Sequence, residues 1–264
     1  MQIPPRLVWN EKACGKARGS TGPRNAILLL MSENETIIHE ILPVGMLQCN
    51  CHIVGDPHTR DAIVIDPGDD PERILEIIQK HHLKVRAIVI THTHIDHVVG
   101  LQRVRQGTGA PVYMHADDLA LYRMLDVQAG WIGWNVPEKV QVDQMLKEGD
   151  SIRWGPFRAQ VLHTPGHTQG SICLYMPSDI PEPCANDAAA KSTGRMPGWL
   201  FAGDTLFAGS IGRTDLWGGS FESIIGSLKG KILELPDETI VYPGHGEATT
   251  IGRERATNPF LIGN

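Results

Sequence analysis

Four side chains able to hold a metal stand within six positions, His92-x-His94-x-Asp96-His97. They follow directly on Val85-Arg86-Ala87-Ile88-Val89-Ile90, an apolar run with a β-branched majority that reads as a buried strand. The ligands therefore fall where a strand gives way to a loop. Alternate residues of an extended chain point the same way, so His92 and His94 can converge on one ion. Asp96 and His97, after the chain turns, can face a second. Imidazole and carboxylate suit zinc, and also iron and manganese. The bland alternative is a polar loop that caps the next helix through Asp96, but three further segments go beyond it. Thr164-Pro165-Gly166-His167-Thr168, Gly203-Asp204-Thr205 and Pro243-Gly244-His245-Gly246 each follow a predicted strand, ending at Leu162, Ala202 and Tyr242. The fold must bring strand ends from along the whole chain to one edge, where sites commonly form.

The organisation agrees. Residues 1–36 are rich in Pro and Gly with little periodicity and read as an irregular extension. Short apolar runs over 37–42, 49–54 and 62–65 read as strands. Pro71 opens a helical pattern with apolar Ile74, Leu75, Ile77 and Ile78, running to about His82, and the strand over 85–90 completes a βαβ unit. Further strands are predicted over 111–114, 158–162, 171–175, 199–202 and 239–242. Helices are predicted over 97–105, 116–125, 221–233 and 251–256. Residues 178–197 are rich in Pro, Ala, Ser and Asp and read as a surface insertion within one domain over 37–264.

The ligand set resembles the metallo-β-lactamase superfamily from about residue 40 onward. Within it, GDTLFAGSIGRTDL (203–216) and PGHGEATTIGRERATNPF (243–260) resemble the short glyoxalase II-type hydrolases. The resemblance implies an α/β fold, an αββα sandwich of two mixed sheets with helices on both outer faces. It implies one metal held by His92, His94 and His167, a second by Asp96, His97 and His245, and Asp204 bridging both. Two zinc ions per chain are expected, with iron or manganese possible in either site. Two metals about 3.5–4 Å apart share a water and deprotonate it near neutral pH, with Asp96 placed as the catalytic acceptor that orients the hydroxide. The implied reaction is hydrolysis of a thioester, an S-acylglutathione such as S-lactoylglutathione first among them. The alternatives are an iron-dependent persulfide dioxygenase and a lactonase of the same superfamily. A β-lactamase is disfavoured, because such enzymes generally lack the bridging aspartate.

Two departures bear on the glutathione assignment. The longer glyoxalase II enzymes carry a helical C-terminal domain, whereas only about 19 residues follow His245 here. They also place Lys-x-Tyr after the bridging-aspartate loop, where this chain reads Arg213-Thr214-Asp215. Arg213 is expected to bind substrate in the lysine's stead, its plain alternative being a surface arginine paired with Asp215. Of the other histidines, His163 is expected beside the ligands, His115 as a helix cap, and His39, His52, His58, His81 and His82 at the surface or its boundary. Cys49-x-Cys51 reads as a buried or semi-buried thiol pair on one face of a strand.

Composition narrows the partners. With 24 Lys and Arg against 30 Asp and Glu, the net charge of -6 disfavours a phosphate backbone, so no nucleic acid is expected. No apolar run approaches the roughly 20 residues of a membrane span, and the first residues lack the pattern of a signal peptide. The expectation is a cytoplasmic protein acting on a small-molecule thioester, with a homo-oligomer possible. The five cysteines are an odd count without regular spacing, which argues against a disulfide framework.

Overall fold

A computed structural model of the protein describes residues 37–178 and 196–262. The extension over 1–36, and all but the ends of the insertion over 178–197, lie outside the described residues. The chain runs through β1 (Ile38–Val44), β2 (Cys49–Gly55), β3 (Asp61–Ile65), α1 (Pro71–Lys80) and β4 (Lys84–Val89). After a 3-10 turn over Ile95–His97 come α2 (Leu101–Thr108), β5 (Val112–His115), α3 (Leu119–Arg123), α4 (Leu125–Ile132) and β6 (Gln144–Leu146). Next are β7 (Ser151–Trp154), β8 (Phe157–His163), β9 (Ile172–Met176), β10 (Trp199–Gly203), β11 (Leu206–Phe207) and β12 (Ser210–Ile211). The last elements are α5 (Phe221–Gly230), β13 (Ile240–Pro243), β14 (Thr249–Thr250) and α6 (Ile251–Thr257).

Among the described residues two large sheets form, ordered β1-β2-β3-β4-β5-β6 and β14-β13-β10-β9-β8-β7, with β11 and β12 forming a separate hairpin. Both are mixed. β3 to β6 run parallel to one another, while β1 pairs antiparallel with β2 and β2 with β3. In the second sheet only β10 and β13 pair in parallel. The parallel β3–β4 pair joined through α1 is the expected βαβ unit.

Period-2 alternation divides the apolar residues among three layers. Ile63, Ile65, Ala87 and Val89 point between the sheets, where they meet Ala159, Val161, Leu174, Trp199 and Phe201. Their neighbours Ala62, Val64, Ile88 and Ile90 face the other way, onto Ile74 and Ile78 of α1 and Leu101 and Val104 of α2. On the far side, Cys173, Leu200, Ala202 and Val241 cover Ile224 and Leu228 of α5 and Ile251 of α6. Helix, sheet, sheet, helix is the αββα sandwich that the resemblance implied.

Some elements differ from expectation. The helix expected from His97 begins at Leu101, because His97 closes a 3-10 turn onto His94 and Gly100 donates its N–H to the Pro67 carbonyl at 3.0 Å. α1 stops at Lys80 because His82 adopts φ 53, and its N–H and that of Leu83 bond back to Gln79 and Ile78. α4 carries no readable apolar stripe, since Val127, Trp131 and Ile132 are exposed while Gln128 is buried. The edge strands β6 and β7 are too short and too polar to stand out by pattern. His52, expected at the surface or its boundary, is buried between the sheets, 3.2 Å by ring nitrogens from half-buried His39.

Candidate metal centre

Every segment singled out by its metal-binding residues ends at one edge of the sandwich. β4 delivers Thr91 to His97, the loop between β8 and β9 delivers His167, β10 delivers Asp204 and β13 delivers His245. His167 Nε2 lies 3.2 Å from His92 Nε2 and 2.8 Å from His94 Nδ1. The three rings are nearly perpendicular, at 79–89°, with centroids 4.6–5.0 Å apart. Imidazoles sharing one tetrahedral ion need this arrangement, because Zn–N bonds of about 2.0–2.1 Å place ligand nitrogens roughly 3.3 Å apart. A second group adjoins the first. His245 Nε2 is 3.1 Å from Asp96 Oδ2, and His97 Nε2 is 3.8 Å from the same oxygen. Asp204 stands between the groups, with Oδ1 3.5 Å from His97 Nε2 and Oδ2 3.6 Å from His167 Nε2.

The outer ring nitrogens settle which inner ones carry lone pairs. His167 Nδ1 donates to the Arg213 carbonyl (2.8 Å) and His245 Nδ1 to the Leu47 carbonyl (3.0 Å). His97 Nδ1 donates to Asp66 Oδ2 at 3.0 Å. Thr91 Oγ1 gives its proton to Asp66 Oδ2 (2.6 Å), so it accepts from His92 Nδ1 (3.2 Å). His92 and His167 thus turn bare Nε2 lone pairs toward each other, and only a cation or a proton relieves that contact. Among the described residues, His97 Nε2 and Asp204 Oδ1 are buried without any hydrogen-bond partner. These orphaned atoms, and a donor set of imidazoles and carboxylates, fit divalent metal ions.

The electrostatics agree. Burial, reinforced by neighbouring imidazoles, holds His94 neutral down to about 3 and His92 well below its ordinary range. For Asp96 burial is the largest influence and would raise its pKa, but His97 and His245 outweigh it and keep the carboxyl ionised. Burial also opposes charge on His97, yet Cys49, Asp204, Asp96 and Asp66 raise it well above the usual value. The carboxylates demand positive charge in their midst, which a metal supplies in place of that proton.

Residues with no motif of their own hold the ligand loops. Asp66 also accepts the Thr91 N–H at 2.7 Å. Asp118 accepts from the N–H groups of Thr93 and Gly170, both at 2.7 Å, and so ties the first ligand loop to the loop of His167. Gln128 of α4 accepts from Ile95 N–H (3.0 Å) and donates to the Thr93 carbonyl (3.1 Å). Asn50 of β2 donates its N–H to the Gly244 carbonyl and its amide to those of Pro243 and Gly246, at 2.7–3.0 Å. Gly244 has to be glycine: a Cβ there would lie 2.2 Å from Asp204 Oδ1 and 2.9 Å from His97 Cε1. Sequence reading missed these because a lone Asp, Gln or Asn carries no spacing signal.

Other side chains are equally placed. Cys49 and Cys51 are free, buried thiols as expected, but Cys49 Sγ also reaches His97 Nδ1 at 3.5 Å. Arg213 is exposed and forms a bidentate pair with Asp215 at 2.7 and 2.9 Å, while its carbonyl orients His167. His115 accepts from the Asp117 N–H and caps the turn that follows. It also gathers with Asp117 and His163, but His115 and His163 stack at 3.9 Å and 15°, so their in-plane lone pairs run side by side and cannot meet at one ion.

Residues 44–180 and 193–245 match the metallo-beta-lactamase superfamily. The chain belongs to that family. It is 34% identical to the hydroxyacylglutathione hydrolase GloC of Haemophilus influenzae over 84% of this chain and 97% of that one. Its fold is similar to the BLEG-1 B3 metallo-beta-lactamase (TM-score 0.74, 34% identity, 86% of this chain, 100% of the other). It is also similar to TTHA1623 in a di-iron-bound form (TM-score 0.69, 38% identity, 84% and 100%). Among the described residues no helix is long and apolar enough to cross a membrane.

Proposed function

We propose that this protein is a dinuclear metal-dependent hydrolase that cleaves a thioester, with an S-acylglutathione such as S-lactoylglutathione as its substrate. The observation that carries the reading is the meeting of all seven ligand-type side chains, with the two oxygens of Asp204 turned toward different histidines. The 34% identity to a hydroxyacylglutathione hydrolase supports the choice of substrate. His92, His94 and His167 would hold one ion, and Asp96, His97 and His245 the second, with Asp204 shared. Zinc is the first choice by donor type, and iron suits the same donors. Bound there, divalent ions supply Lewis acidity and lower the pKa of water to near neutrality.

The chain's own groups do the rest. Asp96, ionised and 3.1 Å from His245 Nε2, can accept a proton of the attacking water and orient its lone pair toward the acyl carbon. Asp66, the Arg213 carbonyl and the Leu47 carbonyl keep the protons of His97, His167 and His245 on their outer nitrogens. Arg213, if it releases Asp215, offers a planar cation to a carboxylate of the glutathione part.

The test is metal content and turnover of Asp204→Ala beside the wild type. The wild type should bind two metal equivalents and hydrolyse S-lactoylglutathione, and the variant should lose most of the metal and at least a hundredfold in turnover. Unchanged metal and turnover in the variant would overturn the reading. Oxygen uptake on glutathione persulfide, or β-lactam cleavage in place of thioester cleavage, would assign the site to the other chemistries of the fold.

A further inference from the structure

We infer that, among acyl groups, this centre prefers ones more apolar and longer than lactoyl, held by a rim of exposed Met46, Leu47, Trp131 and Trp217. The inference rests on the thioester reading above. It begins with side chains that a soluble surface does not favour: Met46 is 78% exposed, Trp131 59%, Leu47 51% and Trp217 45%. Single exposed apolar residues need no explanation. These four share a relation to the centre. Met46 and Leu47 form the turn between β1 and β2, and the Leu47 carbonyl bonds directly to His245. Trp131 lies one turn along α4 from Gln128, whose amide grips the chain on both sides of His94. Trp217 lies on the loop after Arg213, where Ser220 N–H bonds to the Gly166 carbonyl and Gly218 lies against Gln169. Three separate segments, each bonded to a different ligand loop, thus present large apolar side chains to solvent.

The charges on these segments do not compete for the same role. Arg213 is paired with Asp215, and its role toward the glutathione part is separate from that of the apolar side chains. His92, His97 and His167 are themselves buried, so a substrate reaches them from the solvent side of the ligand loops to which these segments are bonded. An acyl chain leaving that way removes apolar surface from water on both itself and the rim, and burial of this kind is favourable in proportion to area. A two-carbon hydroxylated tail such as lactoyl is too short and too polar to use it.

The experiment uses the metal-loaded full chain and S-acylglutathiones from acetyl to hexanoyl. Catalytic efficiency should rise about two- to fourfold per methylene in the wild type. Met46→Gln, Trp131→Gln and Trp217→Gln combined should flatten that slope, with metal content unchanged. A flat series in the wild type, or an undiminished slope in the triple variant, overturns the inference while leaving thioester hydrolysis intact. If no acylglutathione is cleaved, the thioester reading has failed, and calorimetric titration with hexanoate and acetate then reads the rim without turnover. A preference for hexanoate that the triple variant loses supports the rim as an apolar subsite, and equal binding of the two acids overturns it.

Discussion

A histidine offers a metal one lone pair only when its other nitrogen carries the proton, so the partners of the outer nitrogens matter as much as the ligands. The spacing His92-x-His94-x-Asp96-His97 is readable because four ligand types in six positions seldom arise without a use. Asp66, Asn50 and Asp118 are invisible in the same sequence, since each acts through a contact made across 25 residues or more. Arg213 shows how far a residue-level reading reaches. Its place after the glycine-rich loop is evident, yet its carbonyl rather than its guanidinium touches a ligand. If the guanidinium also serves substrate, Arg213→Ala should lower catalytic efficiency on acylglutathiones roughly ten- to hundredfold, the loss of one charge-assisted hydrogen bond. Metal content should stay unchanged, because alanine keeps the carbonyl that His167 uses. Equal loss on acylglutathiones and on small uncharged thioesters would instead mark Arg213 as a residue that shapes the loop.

At the scale of elements, strands with continuous apolar runs and a helix opened by Pro71 are legible because their periodicity is driven by burial. α4 escapes that logic. Its one deeply buried polar side chain, Gln128, makes three hydrogen bonds, to Ile95 N–H and to the carbonyls of Thr93 and Leu121. The helix is placed to clamp the ligand loop, so its outer residues are left free to be apolar. Gln128→Ala should leave those backbone groups without partners inside the protein and cost about 2–4 kcal/mol of stability. Urea unfolding of the metal-free protein measures that cost. A competition with a chelator measures the second consequence, a faster release of metal as the His94 loop loosens. Intact metal retention in a destabilised variant would show that Asp118 alone suffices to hold the loop.

The whole molecule depends on two sheets closing face to face, and the least legible part of that contact is polar. His39 and His52 sit between the sheets against Trp199, Phe201 and Tyr242, with ring centroids 4.6–5.8 Å apart for most pairs. Period-2 alternation puts a strand residue on one face or the other, but it does not say which imidazole will be taken out of water. Burial is the main cause that lowers His39 to about 4 and His52 to about 3, from 6.5 in the unfolded chain. Between about pH 6.5 and 4 the unfolded chain therefore binds protons that the folded chain refuses, so stability rises with pH across that window and falls as the solution is acidified. Each imidazole contributes a slope of at most about 1.4 kcal/mol per pH unit. His97 and His245 at the metal edge are shifted as well, both upward, so the measurement has to be a difference. Urea unfolding of the metal-free wild type and of His39→Leu/His52→Phe, from pH 7 to 4.5, isolates the inter-sheet pair. The double variant should lose less stability on acidification than the wild type. Parallel curves would mean that the two rings gain access to water before the sheets part, and that the acid sensitivity of the protein resides at the metal edge alone.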